Sequence, residues 1–160
     1  MDIFFVTHNE FKYMEAKQIA QEYDISVEWF NLEYQEIQEN NLTAIANTSC
    51  LQILRDNENL VDKNFFLEDA GLFVESLNGF PGPYSSYVLH TIGNDGILQL
   101  MKKEENRYAY FKSVVAYHSG GKIHNFQGIT DGTIIHEIKG DKGFGFDPIF
   151  RPSESEFTFA

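Results

Sequence analysis

Two short runs of the chain contain only apolar residues, and they limit the folds that it can adopt. Residues 3–6 (Ile-Phe-Phe-Val) and 65–67 (Phe-Phe-Leu) have no polar side chain to turn toward solvent. A strand without polar alternation is typically covered on both faces, as in a sheet that carries helices on both sides. The two runs therefore predict buried strands of an α/β protein.

The remaining residues predict further elements of such a fold. Residues 10–23 space apolar side chains at helical intervals, and Asn9 is suited to cap that helix. Ser119-Gly120-Gly121 predicts a turn between antiparallel strands. Because helices come early and antiparallel strands late, we expect a mixed sheet. The predicted strands are 3–6, 26–30, 65–67, 108–117, 122–127 and 133–138, and the predicted helices are 10–23, 43–55 and 92–103.

Composition limits the class of protein and its partners. A chain of 160 residues suits one domain or two tightly apposed lobes. The net charge of −12 argues against a nucleic-acid polymer as partner, although a single nucleotide bound with a divalent cation is compatible with it. Cys50 is the only cysteine, which excludes an internal disulfide. The sequence shows neither a membrane span nor a signal peptide, so we expect a soluble, cytoplasmic protein without a membrane partner.

Two adjacent carboxylates, Glu68 and Asp69, follow the second apolar run directly. Neighbouring residues of a strand point to opposite faces, so we expect the two acids to have different roles. The carboxyl end of a buried strand is a common place for ligand sites in α/β folds, and a carboxylate there suits Mg²⁺. The alternative is a solvated loop acid or a helix cap.

An acidic segment before the second predicted helix contains Glu33, Glu36 and Glu39. Charged side chains are mostly exposed, so these three predict a solvated loop. One of them could complete a metal site with Asp69, but their spacing does not choose among them.

The turn Thr7-His8-Asn9 lies between the first predicted strand and helix and predicts an anion site. The first N–H groups of a helix lack intrahelical partners, and with the helix dipole they favour a phosphate. Lys12 falls in the first helical turn, where a cation opposes the dipole, and a bound anion would remove that conflict. The alternative is a solvated lysine on an ordinary strand–helix unit. The P-loop pattern is absent from the sequence.

Residues 140–148 (Gly-Asp-Lys-Gly-Phe-Gly-Phe-Asp-Pro) are a second candidate ligand segment. Glycines allow the backbone to approach a ligand closely. Phe144 and Phe146 could stack on a nucleotide base. The alternative is a glycine-rich turn whose phenylalanines belong to the core.

Five motifs, taken in order, resemble the inosine triphosphate pyrophosphatase (HAM1-type) family. Each motif alone is weakly specific, but five in order from residue 3 to residue 160 are highly specific. The matching residues are Thr7-x-Asn9-x-x-Lys12-x-x-Glu15, Glu36 within Tyr34-Gln35-Glu36-Ile37-Gln38, Glu68-Asp69-x-Gly71-Leu72, Gly79-Phe80-Pro81-Gly82-x-Tyr84-Ser85-Ser86, and Gly143-Phe144-Gly145-Phe146-Asp147-Pro148-Ile149-Phe150.

The resemblance implies hydrolysis of non-canonical purine nucleoside triphosphates (ITP, dITP, XTP) to the monophosphate and pyrophosphate. It implies Mg²⁺ as cofactor and a homodimer. The implied fold is an elongated mixed β-sheet in two lobes with flanking helices, with the nucleotide in the central cleft and residues 1–160 forming a single domain.

The resemblance also implies roles for individual residues. Asp69 and Lys12 would be catalytic, and Asp69 would orient or activate the attacking water. Glu36 and Asp69 would bind Mg²⁺, so that the metal and the substrate, rather than a basic side chain, would balance Asp69. Glu68 would serve the nucleotide or the surroundings of the metal. The residues implied in substrate binding are Thr7, His8, Asn9, Glu10, Phe11, Lys12, Glu68, Ala70, Phe144, Gly145, Phe146 and Asp147.

Three departures from the family pattern motivate a second hypothesis. Ala70 stands where the family usually has Ser or Thr, and the second predicted helix lacks the family's lysine, with Arg55 as its nearest cation. The sequence ends at Ala160, before the family's Ser-His-Arg motif and final helix, which supply contacts to the base. The alternative function is therefore a nucleotide-binding protein of the same fold with weak or no turnover.

Overall fold

The computed structural model describes residues 2–35 and 37–160, which form a mixed α/β fold. The strands belong to one seven-stranded sheet in the order β2-β1-β3-β5-β6-β7, with β4 paired to β3. The strands are β1 (Asp2–Val6), β2 (Ser26–Phe30), β3 (Phe65–Val74), β4 (Pro81–Gly82), β5 (Tyr108–Ser119), β6 (Lys122–Ile134) and β7 (Phe150–Pro152). The helices are α1 (Glu10–Gln21), α2 (Leu42–Asp56), α3 (Ser85–Thr91) and α4 (Gly93–Leu100).

The chain divides into two compact units. The first unit comprises Met1–Asp69 and Val114–Gln127, and the second comprises Ala70–Ser113 and Gly128–Ala160. Within the described part of the chain, no helix combines the length and the apolar character that crossing a membrane requires.

The first unit is built around parallel strands. β1 pairs with β2 on one side and with β3 on the other, in both cases parallel. In the second pairing Phe5 stands opposite Phe66, and their rings stack with centroids 4.4 Å apart. α2 is capped by the Asn41 side chain, which accepts the N–H groups of Thr43 and Ala44. Its inner face includes Cys50, whose pKa is raised to about 11 by burial.

The second unit has its own core. In this unit the serine Ser85 connects the turn before α3 to β3. The Ser85 hydroxyl accepts the Leu72 N–H at 2.8 Å and donates to the Gly82 carbonyl at 2.7 Å. Because a buried backbone group without a partner is costly, this hydroxyl fixes the turn that precedes α3. The core contains Leu72, Val74, Val88, Ile97, Met101, Ala109, Ile134, Phe146, Ile149 and Phe150.

Most predicted elements are confirmed, and the differences have physical reasons. The strand predicted at 65–67 continues to Val74, and the strand predicted at 122–127 continues to Ile134, so that no separate strand covers 133–138. The helix predicted at 92–103 ends at Leu100 and is followed by a 3₁₀ turn, and α3 was not predicted. β3 and β6 are longer than predicted because pairing with neighbouring strands extends them through polar residues, at which the apolar pattern had ended the predicted strands.

The apolar pattern of α1 does not mark a buried face. The side chains that suggested a helical face, those of Phe11, Met14, Ile19 and Tyr23, are all exposed, by between 56% and 70%. The residues of α1 that are partly buried are Lys12, Tyr13, Ala16 and Ala20. The predicted helix is confirmed, but the spacing of its apolar side chains does not show which face is buried.

Gly71 offers a test of the packing in the second unit. A Cβ atom added there would lie 2.3 Å from the Gly82 carbonyl oxygen, whereas one added at Gly128, in β6, would meet nothing within 4 Å. Overpacking costs roughly 1–3 kcal/mol, and 1 kcal/mol shifts the melting temperature of a domain this size by roughly 2–4 °C. We therefore expect Gly71→Ala to lower Tm by roughly 2–12 °C in a thermal melt. Gly128→Ala should leave Tm unchanged or raise it, and equal Tm values for the two variants would contradict this packing.

Candidate functional site

The turn between β1 and α1 is fixed through Thr7, which is only 7% exposed. Its backbone N–H donates to the Phe30 carbonyl at 3.2 Å, and its carbonyl accepts the Trp29 indole N–H at 2.7 Å. Its hydroxyl oxygen accepts the Asn9 N–H at 3.0 Å. Since the backbone and the side chain of Thr7 are both held by neighbours, the shape of the turn is set by the protein itself.

The first N–H groups after Thr7 are available to a ligand. Asn9 caps α1 through its side-chain oxygen, which accepts the Lys12 N–H at 3.2 Å and confirms the predicted cap. Among residues 2–35 and 37–160, no acceptor is found for the N–H of His8 or Glu10, and both residues are exposed. Free N–H groups at the start of a helix favour an anion. The geometry therefore suits the anion site that the sequence predicted, while anion binding itself stays a prediction.

Lys12 reaches from α1 to the acidic pair of β3. Its ammonium nitrogen lies 2.8 Å from Glu68 Oε2 and 3.4 Å from the Glu68 carbonyl oxygen. The two side chains are 24% and 17% exposed, respectively. The pairing of β1 with β3 explains this contact, because extending the register by two residues from Phe5 and Phe66 places Thr7 level with Glu68. Glu68 thus has a basic partner that lies 56 residues earlier in the chain and that the sequence analysis did not find.

The acids occupy the interior of a strand, which corrects their predicted place. Glu68 and Asp69 were expected where the strand ends, or alternatively in a loop or at a helix cap, but β3 continues to Val74. Strand pairing beyond Asp69 explains the difference, since Leu72 and Phe73 pair with Gly82 and Pro81 of β4. Both carboxylates are partly buried, so each needs compensation for its charge.

The described donors of the first unit are compatible with Mg²⁺ bound largely through waters and phosphates. In the part of the chain that the structure describes, no group of three His, Cys, Asp or Glu side chains could hold a metal ion. Mg²⁺ usually takes one or two carboxylates and completes its shell with waters and substrate phosphates, so the single carboxylate of Asp69 fits this mode. Glu36, the other predicted ligand, lies outside the described residues. Glu33 and Glu39 are exposed, as the sequence predicted for a solvated loop.

In the second unit, the glycine-rich segment is organised around Asp147. Its Oδ2 accepts the Phe144 N–H at 2.7 Å. Gly143 has a φ of +71°, and a Cβ added there would lie 2.3 Å from the same oxygen, so glycine is required at this position. The Asn94 amide donates to the Gly145 carbonyl at 3.1 Å. Burial raises the pKa of Asp147 above its ordinary value, against the opposing effect of the Phe144 hydrogen bond.

The two phenylalanines of this segment differ in their surroundings. Phe146 is 2% exposed and packs in the core of the second unit, which agrees with the alternative of a core ring. Phe144 is half-buried, so part of its ring faces solvent. Of the two rings, Phe144 is therefore the one that is accessible for stacking on a base.

The second unit also contains a surface cavity of about 600 Å³. None of the predicted site residues lines it. Its lining residues are Glu105, Asn106, Arg107, Tyr108, Thr133, Ile134, Ile135, His136, Glu137, Lys139 and Arg151.

One residue at the turn was not predicted from the sequence. Trp29 contacts Thr7 because β1 and β2 run parallel, with Phe5 opposite Trp29 and Val6 opposite Phe30. If the first two predicted strands had been assigned as parallel neighbours, Trp29 would have been placed beside the turn.

Comparison with known proteins gives concordant results. The sequence model of the Ham1 family matches residues 3–160. A protein from Methanopyrus kandleri named dITP/XTP pyrophosphatase is 48% identical, over 100% of this chain and 84% of its own. One of the same name from Pyrococcus horikoshii is 45% identical with the same coverage. The solved structure of the Staphylococcus aureus Ham1 protein matches with a TM-score of 0.77 at 24% identity, over 100% of this chain and 85% of its own, which shows the likeness of fold.

The raised pKa of Asp147 leads to a pH-dependent prediction. The folded protein keeps this proton at pH values where the unfolded chain, with a pKa of about 3.9, has lost it, so the stability contributed here falls as pH rises through that window. Asp147→Asn keeps an acceptor for the Phe144 N–H without a charge. We therefore expect the Tm of Asp147→Asn, relative to the native protein, to increase from about pH 4 to about pH 7.

The matched control is Asp141→Asn, an exposed position in the same segment. Its Tm difference from the native protein should stay constant over this range. A constant difference for Asp147→Asn as well would contradict the effect of burial on Asp147.

Proposed function

The chain belongs to the Ham1 family, and we propose that it hydrolyses non-canonical purine nucleoside triphosphates such as dITP and XTP to the monophosphate and pyrophosphate. Water attacks the α-phosphorus, the bond from that phosphorus to the oxygen bridging it to the β-phosphorus breaks, and pyrophosphate leaves. The observation that carries the proposal is the ion pair of Lys12 with Glu68, which the strand register places level with Thr7. The N–H groups of His8 and Glu10, in the same turn, have no acceptor among the described residues. The names of relatives 48% and 45% identical support the class of substrate.

The first step is binding of the triphosphate at the turn. The N–H groups of His8 and Glu10 donate to phosphate oxygens, and the dipole of α1 favours their negative charge. Lys12 adds a charge-assisted hydrogen bond, which is roughly twice as strong as one between neutral groups. As pyrophosphate departs, the same donors stabilise the charge that develops on it, which is the main form of catalysis in phosphate transfer.

Asp69 is the proposed catalytic carboxylate. It orients the attacking water and accepts its proton, a role in which a positioned acid or base contributes roughly 10²–10⁴-fold to the rate. Asp69 is also the proposed Mg²⁺ ligand of β3, together with Glu36. When bound, Mg²⁺ supplies positive charge that neutralises the phosphates and lowers the pKa of water.

Glu68 keeps Lys12 in place before the substrate arrives. The pair compensates a partly buried carboxylate and holds a flexible lysine side chain close to the turn. Because Glu68 orders the lysine side chain in advance, less conformational entropy is lost on binding. An incoming phosphate then competes with Glu68 for the ammonium.

For the base we propose contacts with the Phe144 ring and the backbone of Gly145, as the family resemblance implies. Phe146 supports this segment from the core. The Asp147 carboxylate accepts the Phe144 N–H and thereby fixes the loop that carries the ring.

We further propose that the protein works as a homodimer in the cytoplasm. Exposed apolar side chains mark interaction surfaces when they cluster. Tyr87 of α3 is exposed by 71%, Leu100 of α4 by 48% and Ile92, between the two helices, by 45%, which supports association through the second unit.

The proposal is tested by pyrophosphate release from dITP and XTP, compared with dATP and dGTP, with Mg²⁺ and with a chelator. We expect Mg²⁺-dependent release that is faster for dITP and XTP.

Asp69→Asn should lower turnover by roughly 10²-fold or more with little change in Tm, since removing one charge relieves repulsion in the acidic pair. Asp62→Asn, at an exposed acid of the same unit, should retain full activity.

Absence of Mg²⁺-dependent pyrophosphate release from all four nucleotides would refute the proposal. Binding of ITP without turnover would favour the alternative of a nucleotide-binding protein. Parallel losses of Tm and activity in Asp69→Asn would contradict the catalytic role of Asp69.

A further inference from the structure

The indole of Trp29 contacts the backbone of the turn between β1 and α1. Its N–H donates to the Thr7 carbonyl at 2.7 Å, and the ring is partly buried. The ring also stacks on Tyr13 of α1, with centroids 5.1 Å apart and planes 13° apart. The ammonium of Lys17 lies 5.6 Å from the centre of the Tyr13 ring. The stack on Tyr13 therefore fixes the indole ring of Trp29 against α1, and the direction of the indole N–H is fixed with it.

The hydrogen bond from Trp29 determines where the His8 N–H points. The Thr7 carbonyl and the His8 N–H belong to one planar trans peptide group, so they point in opposite directions. A donor that holds the carbonyl toward β2 thus turns the N–H away from it. His8 is exposed, and within the described ranges its N–H has no acceptor.

We propose that Trp29 is a positioning residue for the triphosphate site, which orients the Thr7–His8 peptide so that the His8 N–H meets a phosphate oxygen. This inference rests on the proposed function for the identity of the ligand. Without the indole N–H, the Thr7 carbonyl has no other donor among the described residues, so the peptide is held only through the bonds of the Thr7 N–H and hydroxyl. A turn that must be ordered on binding loses affinity for its ligand.

Trp29 is also the only tryptophan of the chain, so the tryptophan fluorescence of the protein reports on the surroundings of this one residue. An anion that binds the His8 N–H changes the electrostatic environment of the peptide to which the indole is hydrogen-bonded. We expect the emission of Trp29 to change on titration with inorganic pyrophosphate, with a midpoint equal to the Kd measured by calorimetry.

The decisive variant is Trp29→Phe, which keeps an aromatic ring against Tyr13 and removes the N–H donor together with part of the ring. By calorimetry, Kd for inorganic pyrophosphate should rise roughly two- to tenfold, the range for loss of one hydrogen bond. KM for dITP should rise by a similar factor because the turn binds the phosphates of the substrate, and kcat should fall as well because the same donors stabilise the charge on departing pyrophosphate. A merely structural residue would instead lower Tm and the active fraction of enzyme and leave KM unchanged.

Tyr13→Phe is the matched control, because it keeps both the stack and the Trp29 hydrogen bond. This variant should retain the native Kd, KM and fluorescence response. Pyrophosphate binding requires no turnover, so the binding measurements remain valid if dITP is not hydrolysed. In that case the proposed function fails, and a weaker Kd in Trp29→Phe still supports the positioning role.

Two results would overturn the inference while leaving the proposed function intact. One is a native Kd and KM in Trp29→Phe in an enzyme that hydrolyses dITP. The other is an active native enzyme that binds no pyrophosphate and shows no change in Trp29 emission.

Discussion

The ion pair between Lys12 and Glu68 is the interaction on which the candidate site depends. Each partner occupies an unfavourable place when taken alone. Glu68 is a partly buried carboxylate inside a strand, next to a second carboxylate, and Lys12 is a cation in the first turn of a helix, where the dipole opposes it. Their contact at 2.8 Å compensates both placements, and the register of β1 against β3 places Glu68 level with Thr7 of the turn. Lys12 remains 24% exposed, so the pair is screened by solvent and an anion can compete for it.

The turn complements this pair through the backbone. Thr7 is engaged through its N–H, its carbonyl and its hydroxyl, whereas the N–H groups that follow it are exposed at His8 and Glu10. The dipole of α1 attracts an anion to these groups, and the anion in turn removes the repulsion between the dipole and Lys12. The strand, the cap and the lysine therefore favour the same ligand, a phosphate. Trp29 adds a defined peptide orientation to this arrangement.

Local features of the fold were predictable from the sequence, and pairings between distant residues were not. Asn9 was recognised as a cap, and the strands at 3–6 and 26–30 were placed correctly, because caps and apolar runs are local signals. The family resemblance indicated the segments that form the candidate site. By contrast, the contact of Lys12 with Glu68 depends on the register of β1 against β3, which no local pattern encodes. The length of β3 was missed for a related reason, since strand pairing rather than hydrophobicity carries it past the two acids.

The most direct test of this account is the affinity of Lys12→Met for inorganic pyrophosphate, measured by calorimetry. The comparison is with the native protein and with Lys17→Met, which removes an exposed lysine of the same helix. Hydrogen bonds to charged groups contribute roughly 1.5–3 kcal/mol, so we expect Lys12→Met to bind pyrophosphate about 10- to 100-fold more weakly. Lys17→Met should bind it nearly as tightly as the native protein. Equal weakening in the two variants would show a general effect of charge and contradict a specific role for Lys12.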